Sequence, residues 1–196
     1  MMLKIGLTGN IGSGKSLICQ VFEKLNVPVF YADIEAKKVL DSPVFRPKLI
    51  ATFGTNIEDK EHNNINRKEL ASIVFKNKNE LKKLNDIIHP LLREKFNKWC
   101  NNFENSAYVI QEAAILLENG LADYFDKVVV VSAPKNIRLQ RVIDRDSTSA
   151  EDVLSRMGNQ WSDEKKEAAA DFIIVNDGEQ LVLPQILKLH KLFSSK

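Results

Sequence analysis

The segment Gly9-Asn10-Ile11-Gly12-Ser13-Gly14-Lys15-Ser16 has the residue types and spacing of a loop that binds phosphate groups. Glycines permit backbone angles, and a close approach to a ligand, that larger side chains block. Successive backbone amides then face the phosphate oxygens, helped by the positive end of a helix that starts near Lys15. Lys15 reaches the outer phosphates, and the Ser16 hydroxyl suits a magnesium ligand. The motif predicts a bound nucleoside triphosphate. By itself it leaves kinase, ATPase and GTP-driven switch open.

Two motifs of GTP-driven switches are missing from the sequence. The nearest match to the guanine-reading Asn-Lys-x-Asp pattern is Asn77-Lys78-Asn79-Glu80, which ends in Glu and lies between predicted helices. We interpret it as a solvated turn. No D-x-x-G sequence is present to sense the terminal phosphate. Guanine specificity is therefore not expected.

Asp33 stands just past the second predicted strand, Val27–Tyr31. Ligands of parallel sheets bind at the carboxyl ends of the strands, so we expect Asp33 to face the phosphate loop. A carboxylate there can take the proton from an attacking hydroxyl or hold the metal. The alternative role is that of a helix N-cap, which is compatible with catalysis.

Three arginines, Arg138, Arg141 and Arg145, follow one another at helical spacing after Pro134. Arginines that converge on a transferring phosphoryl group neutralise the charge that grows in the transition state. The alternative is an exposed cationic stripe paired with neighbouring acids, which is common for surface charges. Those neighbouring acids are Asp144, Asp146 and Glu151.

Apolar runs of strand length alternate with helical patterns along most of the chain. The predicted strands are Leu3–Leu7, Val27–Tyr31, Ala107–Gln111, Lys127–Ser132 and Asp171–Val175. This alternation predicts an α/β fold with a five-stranded parallel sheet covered on both faces. Its core is expected at about 1–41, 104–145 and 169–196, with a helical substrate-binding insertion at about 42–103 and a mobile lid at about 146–168.

Several helix ends can be predicted from local signals. Asn66 followed by Glu69 predicts a helix start, and so does Ser149 followed by Asp152. Pro90 is expected to kink or split the helix that carries Leu81 to Trp99. Residues 54–66 are polar and lack periodicity, which predicts a loop. The last helix is expected from about Glu179 to Phe193.

The composition is that of an ordinary globular protein, with 44% hydrophobic and 28% charged residues and a net charge of +2. This balance gives no reason to expect nucleic acid or a membrane as a partner. Cys19 and Cys100 have no metal-site spacing and predict packed, reduced thiols. The beginning of the chain lacks signal-peptide features, and no apolar run has membrane-spanning length, so we expect a cytoplasmic location. The oligomeric state is left open.

The sequence resembles the dephospho-coenzyme A kinase family nearly from end to end. The resemblance is carried by the order and spacing of many short motifs. They are Ile5-Gly6-Leu7-Thr8-Gly9, Ala32-Asp33, Phe53-Gly54, Arg67 with Leu70, Leu84-Asn85 with His89-Pro90, Ile115-Leu116-Leu117-Glu118 with Gly120-Leu121, Leu139 with Arg141 and Arg145-Asp146, Arg156 with Gln160, Ala170-Asp171, and Asn176.

The resemblance implies a P-loop NTPase-type three-layer α/β/α fold and ATP-dependent phosphorylation of the ribose 3′-hydroxyl of dephospho-coenzyme A. ATP is then a substrate and Mg²⁺ the cofactor. The implied catalytic residues are Asp33 as general base with Lys15, Arg141 and Arg145. Those implied for the nucleotide are Gly12, Ser13, Gly14, Lys15, Ser16, Leu17 and, near the adenine, Asn176, with Ser16 also a metal ligand. Those implied for the acceptor are Arg67, His89, Pro90, Arg93 and Glu118.

The chain departs from the family pattern at several positions. Tyr31-Ala32-Asp33 stands where Asp-Ala-Asp is common, so only the second carboxylate remains. Leu17 replaces the usual threonine. Glu112 ends a strand where a magnesium-side carboxylate often lies. Arg138 stands where glutamine is common, which points to a surface charge rather than a site residue.

Two alternatives remain open. One is a kinase for another small metabolite, such as a nucleoside monophosphate or a sugar acid. The other is a regulatory module that binds ATP without catalysis. Acceptor-stimulated release of ADP distinguishes all three.

Overall fold

The computed structural model describes residues 2–59, 61–62, 64–74 and 77–195. The chain divides into two compact units. The core unit consists of the residues up to Tyr31 and those from Asn102 onward, and the helical unit is Ala32–Asn101. The helical unit thus begins with residues 32–41, which the sequence pattern had grouped with the core.

The strands, in chain order, are β1 (Leu3–Thr8), β2 (Val29–Tyr31), β3 (Glu58–Asp59), β4 (Asn64–Ile65), β5 (Tyr108–Glu112), β6 (Lys127–Ser132) and β7 (Phe172–Val175). The helices are α1 (Lys15–Lys24), α2 (Ala32–Leu40), α3 (Arg46–Phe53), α4 (Arg67–Val74), α5 (Lys78–Cys100), α6 (Lys135–Asp146), α7 (Ala150–Gly158), α8 (Asp163–Ala168) and α9 (Val182–Ser194). In the described ranges, each helix is either too short or too polar to cross a bilayer.

The core unit is built on a parallel sheet of five strands in the order β2-β5-β1-β6-β7. This confirms the predicted α/β fold. The phosphate loop leaves the central strand, β1. Leu7 of β1 lies beside Glu112 of β5, which in turn lies beside Tyr31 of β2. The carboxyl ends of these strands therefore meet at one edge of the sheet, as expected for a ligand site.

One face of the sheet packs against α1 and α9. Alternate strand residues such as Ile5, Ile110 and Val129 point to this face and contact Phe22 of α1 and Phe193 of α9 in one buried cluster. The near-continuous apolar runs of β1, β5 and β6 arise because both faces of a parallel sheet are covered. On the opposite face, α8 packs against β6.

At the end of β7, the side-chain amide of Gln185 pairs with the backbone of Val175. Its Oε1 accepts from the Val175 N–H at 2.8 Å, and its Nε2 donates to the Val175 carbonyl at 3.0 Å. The strand end is thereby anchored to α9, and the next residue, Asn176, is held by a bond from its N–H to the Ser132 carbonyl at 2.8 Å.

The helical unit has its own apolar core, in which α5 packs against α2 and α4. The predicted caps are confirmed at both places: Asn66 Oδ1 accepts from the Glu69 N–H at 3.2 Å, and in the core unit Ser149 Oγ accepts from the Asp152 N–H at 3.1 Å. Each bond satisfies one of the free amides of a first helical turn.

The prediction that Pro90 splits the helix is wrong, because α5 runs unbroken from Lys78 to Cys100. A proline inside a helix loses one backbone hydrogen bond and costs about 3 kcal/mol. Ile88 before the proline is buried in the apolar core of this unit, and Leu92 after it packs against the same cluster, so both halves are held against one core. Their packing offsets the cost.

Three smaller expectations also change. The Asn77–Glu80 segment is the start of α5 rather than a turn, with Asn77 Oδ1 accepting from the Asn79 N–H at 2.9 Å. Residues 54–66 contain the short β3–β4 ladder, although Lys60 and Asn63 lie outside the described residues. The last helix starts at Val182, because Asp177 Oδ1 accepts from the N–H groups of Glu179 and Gln180 and forms a turn there.

Candidate functional site

The phosphate loop connects β1 to α1 and has a backbone that requires glycine at two positions. Gly12 has φ +80° and Gly14 has φ +96°. A Cβ on Gly12 would lie 2.5 Å from the Arg138 carbonyl oxygen, and one on Gly14 would lie 2.2 Å from Asn176 Nδ2. Lys15 Nζ donates to the Gly9 carbonyl at 2.9 Å, so its side chain folds back along the loop. Ser16 and Leu17 are exposed in the first turn of α1.

Arg138 lies behind the phosphate loop and is buried, so the interpretation as a surface charge is wrong. Its Nε donates to the Ala133 carbonyl at 2.8 Å and its Nη1 to the Ile11 carbonyl at 3.4 Å. Nη2 forms an ion pair with Asp163. Arg138 is buried because its side chain turns back toward the sheet, where Asp163 of α8 neutralises its charge.

The segment 160–163 holds the first residues of the loop. The Ile11 N–H donates to Gln160 Oε1 at 2.8 Å. Asn10 Nδ2 donates to the Trp161 carbonyl at 3.1 Å and to Asp163 Oδ1 at 2.7 Å. Part of the predicted lid is thus hydrogen-bonded to the loop in this conformation.

Glu118 follows β5 and is bonded to the same part of the chain. Its Oε1 accepts from Lys166 Nζ at 2.9 Å and from the Trp161 N–H at 3.1 Å. Lys166 is buried, and it also donates to the Ala114 carbonyl at 3.0 Å. Burial lowers the pKa of Lys166, and the Glu118 carboxylate opposes that shift. Glu118 therefore fixes α8 through a buried ion pair in the core unit.

Arg141 and Asn176 form a second link to the loop. Arg141 Nη1 donates to the Asn176 carbonyl at 3.1 Å, and its Nη2 contacts Asn176 Oδ1 at 3.4 Å. Asn176 Nδ2 donates to the Ser13 carbonyl at 2.8 Å. Asn176 is buried. The arginine helix α6 and the phosphate loop are thus joined through one residue, Asn176, by its backbone carbonyl and its side-chain amide.

Arg145 lies one turn further along α6 and is exposed. Its Nε donates to Asp146 Oδ1 at 2.7 Å, and Asp146 Oδ2 also accepts from Arg156 Nη1 at 2.9 Å. The two guanidinium groups, Arg145 first, hold the pKa of Asp146 well below its usual range. This pairing agrees with the alternative role of Arg145 as an exposed cation paired with a neighbouring acid.

At the sheet edge beside the loop, Glu112 is buried between β1 and β2 neighbours. Burial, and then Cys19 and Glu23, raise the pKa of Tyr31. Burial, together with the Glu112 and Glu23 charges, raises the pKa of Cys19, which agrees with a packed, protonated thiol.

Asp33 lies in the first turn of α2, which begins at Ala32, so it is inside the helix rather than at its cap. Its side chain is exposed. Across the described ranges, no residue forms a hydrogen bond or ion pair with its carboxylate. The Asp33 carboxylate is therefore exposed and unpaired within the described part of the chain.

In the helical unit, three of the predicted acceptor residues line one groove of about 470 Å³ on α5. They are His89, Pro90 and Arg93, and they are joined there by Asn85, Asp86, Glu94 and Asn97. Burial lowers the pKa of His89; the nearby Asp86 opposes the shift and Arg93 adds to it. Arg67 does not line this groove, because its Nε is bonded to Asp41 Oδ1 at 3.0 Å.

Sequence reasoning assigned no role to Asn10, Gln160, Asp163 or Lys166. Each is brought to the loop region by a partner more than twenty residues away along the chain, as in the Asn10–Asp163 and Lys166–Glu118 contacts. Spacing within one helix or strand carries no signal for such pairs. The Arg156…Gln160 motif and the predicted lid at about 146–168 pointed to this segment, but not to these contacts.

Comparison with known proteins agrees with this geometry. The family model for dephospho-CoA kinase matches residues 3–181. A dephospho-CoA kinase of Bacteroides fragilis (strain YCH46) is 40% identical over 190 residues, which cover 96% of this chain and 92% of that protein.

Two solved structures show the same architecture. A dephospho-CoA kinase from Campylobacter jejuni matches with a TM-score of 0.70 and 29% identity, over 100% of this chain and 98% of that one. The TT1252 protein from Thermus thermophilus matches with a TM-score of 0.85 and 28% identity, over 97% and 95% of the two chains. A phosphate loop on the central strand, an arginine helix bonded to it and a match along nearly the whole sequence lead to one conclusion: the chain belongs to the dephospho-CoA kinase family.

Proposed function

We propose that the chain phosphorylates the ribose 3′-hydroxyl of dephospho-coenzyme A with ATP, using the residues described above in the following roles. The observation that carries the proposal is the phosphate loop bonded through Asn176 to Arg141 of α6. This arrangement supplies backbone amides, a lysine and a guanidinium at one place. Phosphoryl transfer depends mainly on such positioning and charge stabilisation.

The loop residues Gly12, Ser13 and Gly14, with Lys15, Ser16 and Leu17 after them, bind the triphosphate of ATP. Their amides and the positive end of α1 attract phosphate oxygens. Asn176 lies near the adenine, as the family resemblance implies.

The residues present fit a magnesium ion that is held largely by phosphates and water. Within the described part of the chain, no cluster of three or more His, Cys, Asp or Glu side chains is arranged to bind a metal. Mg²⁺ typically takes one or two protein oxygens and completes its shell with phosphate and water oxygens. The exposed Ser16 hydroxyl is suited to be such a ligand, with Glu112 or Asp33 as an additional carboxylate. The ion would neutralise phosphate charge.

Asp33 accepts the proton of the attacking hydroxyl. Its exposure and its lack of partners among the described residues support this role. Arg141 and Arg145 stabilise the charge on the transferring phosphoryl group. Arg145 must then exchange its bond with Asp146 for a bond with phosphate.

The acceptor binds through His89, Pro90 and Arg93, with Arg67 and Glu118 as further contacts. The groove on α5 supports the first three. For Glu118, the support is one carboxylate oxygen, Oε2, which is buried without a hydrogen-bond partner among the described residues. The helical unit is the acceptor-binding part, and residues of about 146–168 form a lid that excludes water, which is a competing acceptor.

A coupled assay of ADP release tests the proposal. With ATP and Mg²⁺, dephospho-coenzyme A is expected to stimulate ADP release far above the rate with water. Nucleoside monophosphates and sugar acids, the acceptors of the first alternative, are expected to give only the background rate. If no acceptor stimulates release although ATP binds, the chain is a nucleotide-binding regulatory module. We also propose a cytoplasmic location and leave the oligomeric state open.

A further inference from the structure

We infer that Asn176 is a positioning residue for phosphoryl transfer, which orients a phosphate-loop amide through its side chain and the Arg141 guanidinium through its backbone carbonyl and Oδ1. This rests on the proposed function and goes beyond a contact with adenine. Asn176 follows β7 directly and is buried, with 8% of its surface exposed. Its backbone is fixed by the bond from its N–H to the Ser132 carbonyl.

Asn176 has two sets of contacts, a loop arm and an arginine arm. The loop arm is the bond from Asn176 Nδ2 to the Ser13 carbonyl at 2.8 Å. The N–H of a trans peptide points away from the carbonyl of the preceding residue. Fixing the Ser13 carbonyl toward Asn176 therefore turns the Gly14 N–H away from Asn176. Gly14 is the N-cap of α1 and has φ +96°, so its amide belongs to the positive helix end that attracts phosphate.

The contact is close enough to specify glycine at this position. A Cβ on residue 14 would lie 2.2 Å from Asn176 Nδ2. The amide of Asn176 thus occupies the space that a side chain at position 14 would need. Gly14, the third glycine of the loop, and the asparagine after β7 are matched to each other.

The arginine arm is a pair of contacts from Arg141. Its Nη1 donates to the backbone carbonyl of Asn176 at 3.1 Å, and its Nη2 contacts Asn176 Oδ1 at 3.4 Å. The orientation of the amide is unambiguous, because the Ser13 carbonyl only accepts and the guanidinium only donates. Two of the five N–H donors of Arg141 are used in this way. Within the described part of the chain the other three have no partner, so they are available to phosphate oxygens in a direction that Asn176 sets.

The contact from Arg141 Nη2 to Oδ1 and the bond from Nδ2 to the Ser13 carbonyl meet in the planar side-chain amide, so a change in one is transmitted to the other. Loss of the Asn176 side chain should therefore act largely by loosening Arg141, which keeps only its bond to the backbone carbonyl of residue 176. A residue that only stabilises the fold would not show this dependence. The two cases differ in a double-mutant cycle.

The experiment compares Asn176→Ala, Arg141→Ala and the double variant by acceptor-dependent ADP release. Misplacing a catalytic group by about 1 Å costs roughly 100-fold, so Asn176→Ala is expected to lower kcat by about 10- to 100-fold. In the Arg141→Ala background, the same change is expected to lower kcat by only about 3-fold or less. Independent, multiplicative losses in the double variant would overturn the inference.

Gln185→Ala is the matched control. It removes two bonds at the same strand end, to Val175 N and O, without touching the loop or α6. Its thermal stability is expected to fall about as much as that of Asn176→Ala, with kcat and KM unchanged. An equal loss of kcat in both variants would show that strand stability alone is responsible, and the inference would be wrong.

Asn176→Asp separates the two arms. Aspartate keeps an acceptor for Arg141 but loses the donor to the Ser13 carbonyl. Weaker ATP binding in a direct titration is expected, and unchanged binding overturns the loop arm. If the wild-type chain itself shows no release of ADP with dephospho-coenzyme A, the proposed function fails, while the titration still decides the loop arm.

Discussion

Arg138 and Asp163 form an ion pair behind the phosphate loop in which the two partners differ sharply in exposure. The Arg138 side chain is 4% exposed and that of Asp163 is 32% exposed. Arg138 also bonds the Ile11 carbonyl, and Asp163 also bonds Asn10, so the pair contacts two successive loop residues. The Arg138 charge, which the sequence pattern assigned to the surface, therefore supports the phosphate loop.

The exposure difference predicts unequal costs for removing each partner. Asp163→Asn leaves a buried, unpaired guanidinium and is expected to lower the free energy of unfolding by about 3 kcal/mol, the lower end for breaking a buried pair. The expected cost is at the lower end because Arg138 keeps its bonds to the Ala133 and Ile11 carbonyls. Arg138→Gln leaves an acid that water reaches, and is expected to cost about 1–2 kcal/mol. Urea unfolding measures both.

The double variant Arg138→Gln/Asp163→Asn should recover part of the loss, because it leaves no uncompensated charge. Glu94→Gln breaks the exposed Lys98–Glu94 pair and serves as the control, with no change in the urea midpoint. A larger cost for Arg138→Gln than for Asp163→Asn would contradict the assigned environment of the pair.

Replacing Asp33 by Asn is expected to lower turnover by about 100- to 10,000-fold, the range for loss of general base catalysis. ATP affinity, measured by titration, should stay close to that of the wild type. The control is Glu35→Gln, which removes an equal charge from the same first turn of α2 and so has a similar effect on the helix dipole. If Asp33→Asn keeps wild-type turnover, as Glu35→Gln is expected to, then Asp33 has no catalytic role.

Replacing Arg145 by Met is expected to reduce turnover by about 10- to 1,000-fold, because a cation that stabilises the transferring phosphoryl group is lost. Binding of Mg²⁺–ATP is expected to persist, since the loop amides and Lys15 remain. Lys135→Met removes an exposed cation from the start of the same helix and should leave the rate unchanged. Normal rates in Arg145→Met would leave Arg145 with its pairing to Asp146 as its only role.

Stability should fall on acidification partly through His89. Its pKa in the folded chain lies below the usual 6.5 because of burial. The unfolded chain then binds the proton more readily, so stability is full above about pH 6.5 and decreases as the pH falls toward the folded-state pKa. His89→Gln is expected to flatten the dependence of the urea midpoint between pH 7.5 and 5.5. An equally steep dependence in this variant would show that other groups cause it.

The parts of the molecule that could be predicted are those set by neighbouring residues. The phosphate loop, the Asn66 and Ser149 caps and the strands of the sheet all depend on local spacing or periodicity. His89, Pro90 and Arg93 came together because they follow one another on a single helix.

The parts that were missed depend on contacts across the chain. Arg138 became buried because Asp163, 25 positions away, neutralises it. Glu118 meets Lys166 across an even longer separation. Pro90 continues its helix because Ile88 and Leu92, on either side of it, pack on a common core. Propensity and spacing do not contain such tertiary energies, so the sequence alone allowed a split helix and predicted a surface charge.

The backbone of Trp161 is bonded to Asn10 and to Glu118, and Lys165 Nζ lies 3.6 Å from the centre of its ring. The chain has two tryptophans, and the other, Trp99, stacks on Phe96 in the helical unit. Each unit therefore carries its own intrinsic fluorophore. In a Trp99→Phe variant the emission comes from beside the phosphate loop, and in a Trp161→Phe variant it comes from the unit proposed to hold the acceptor. Each binding event can thus be followed optically without attaching a label.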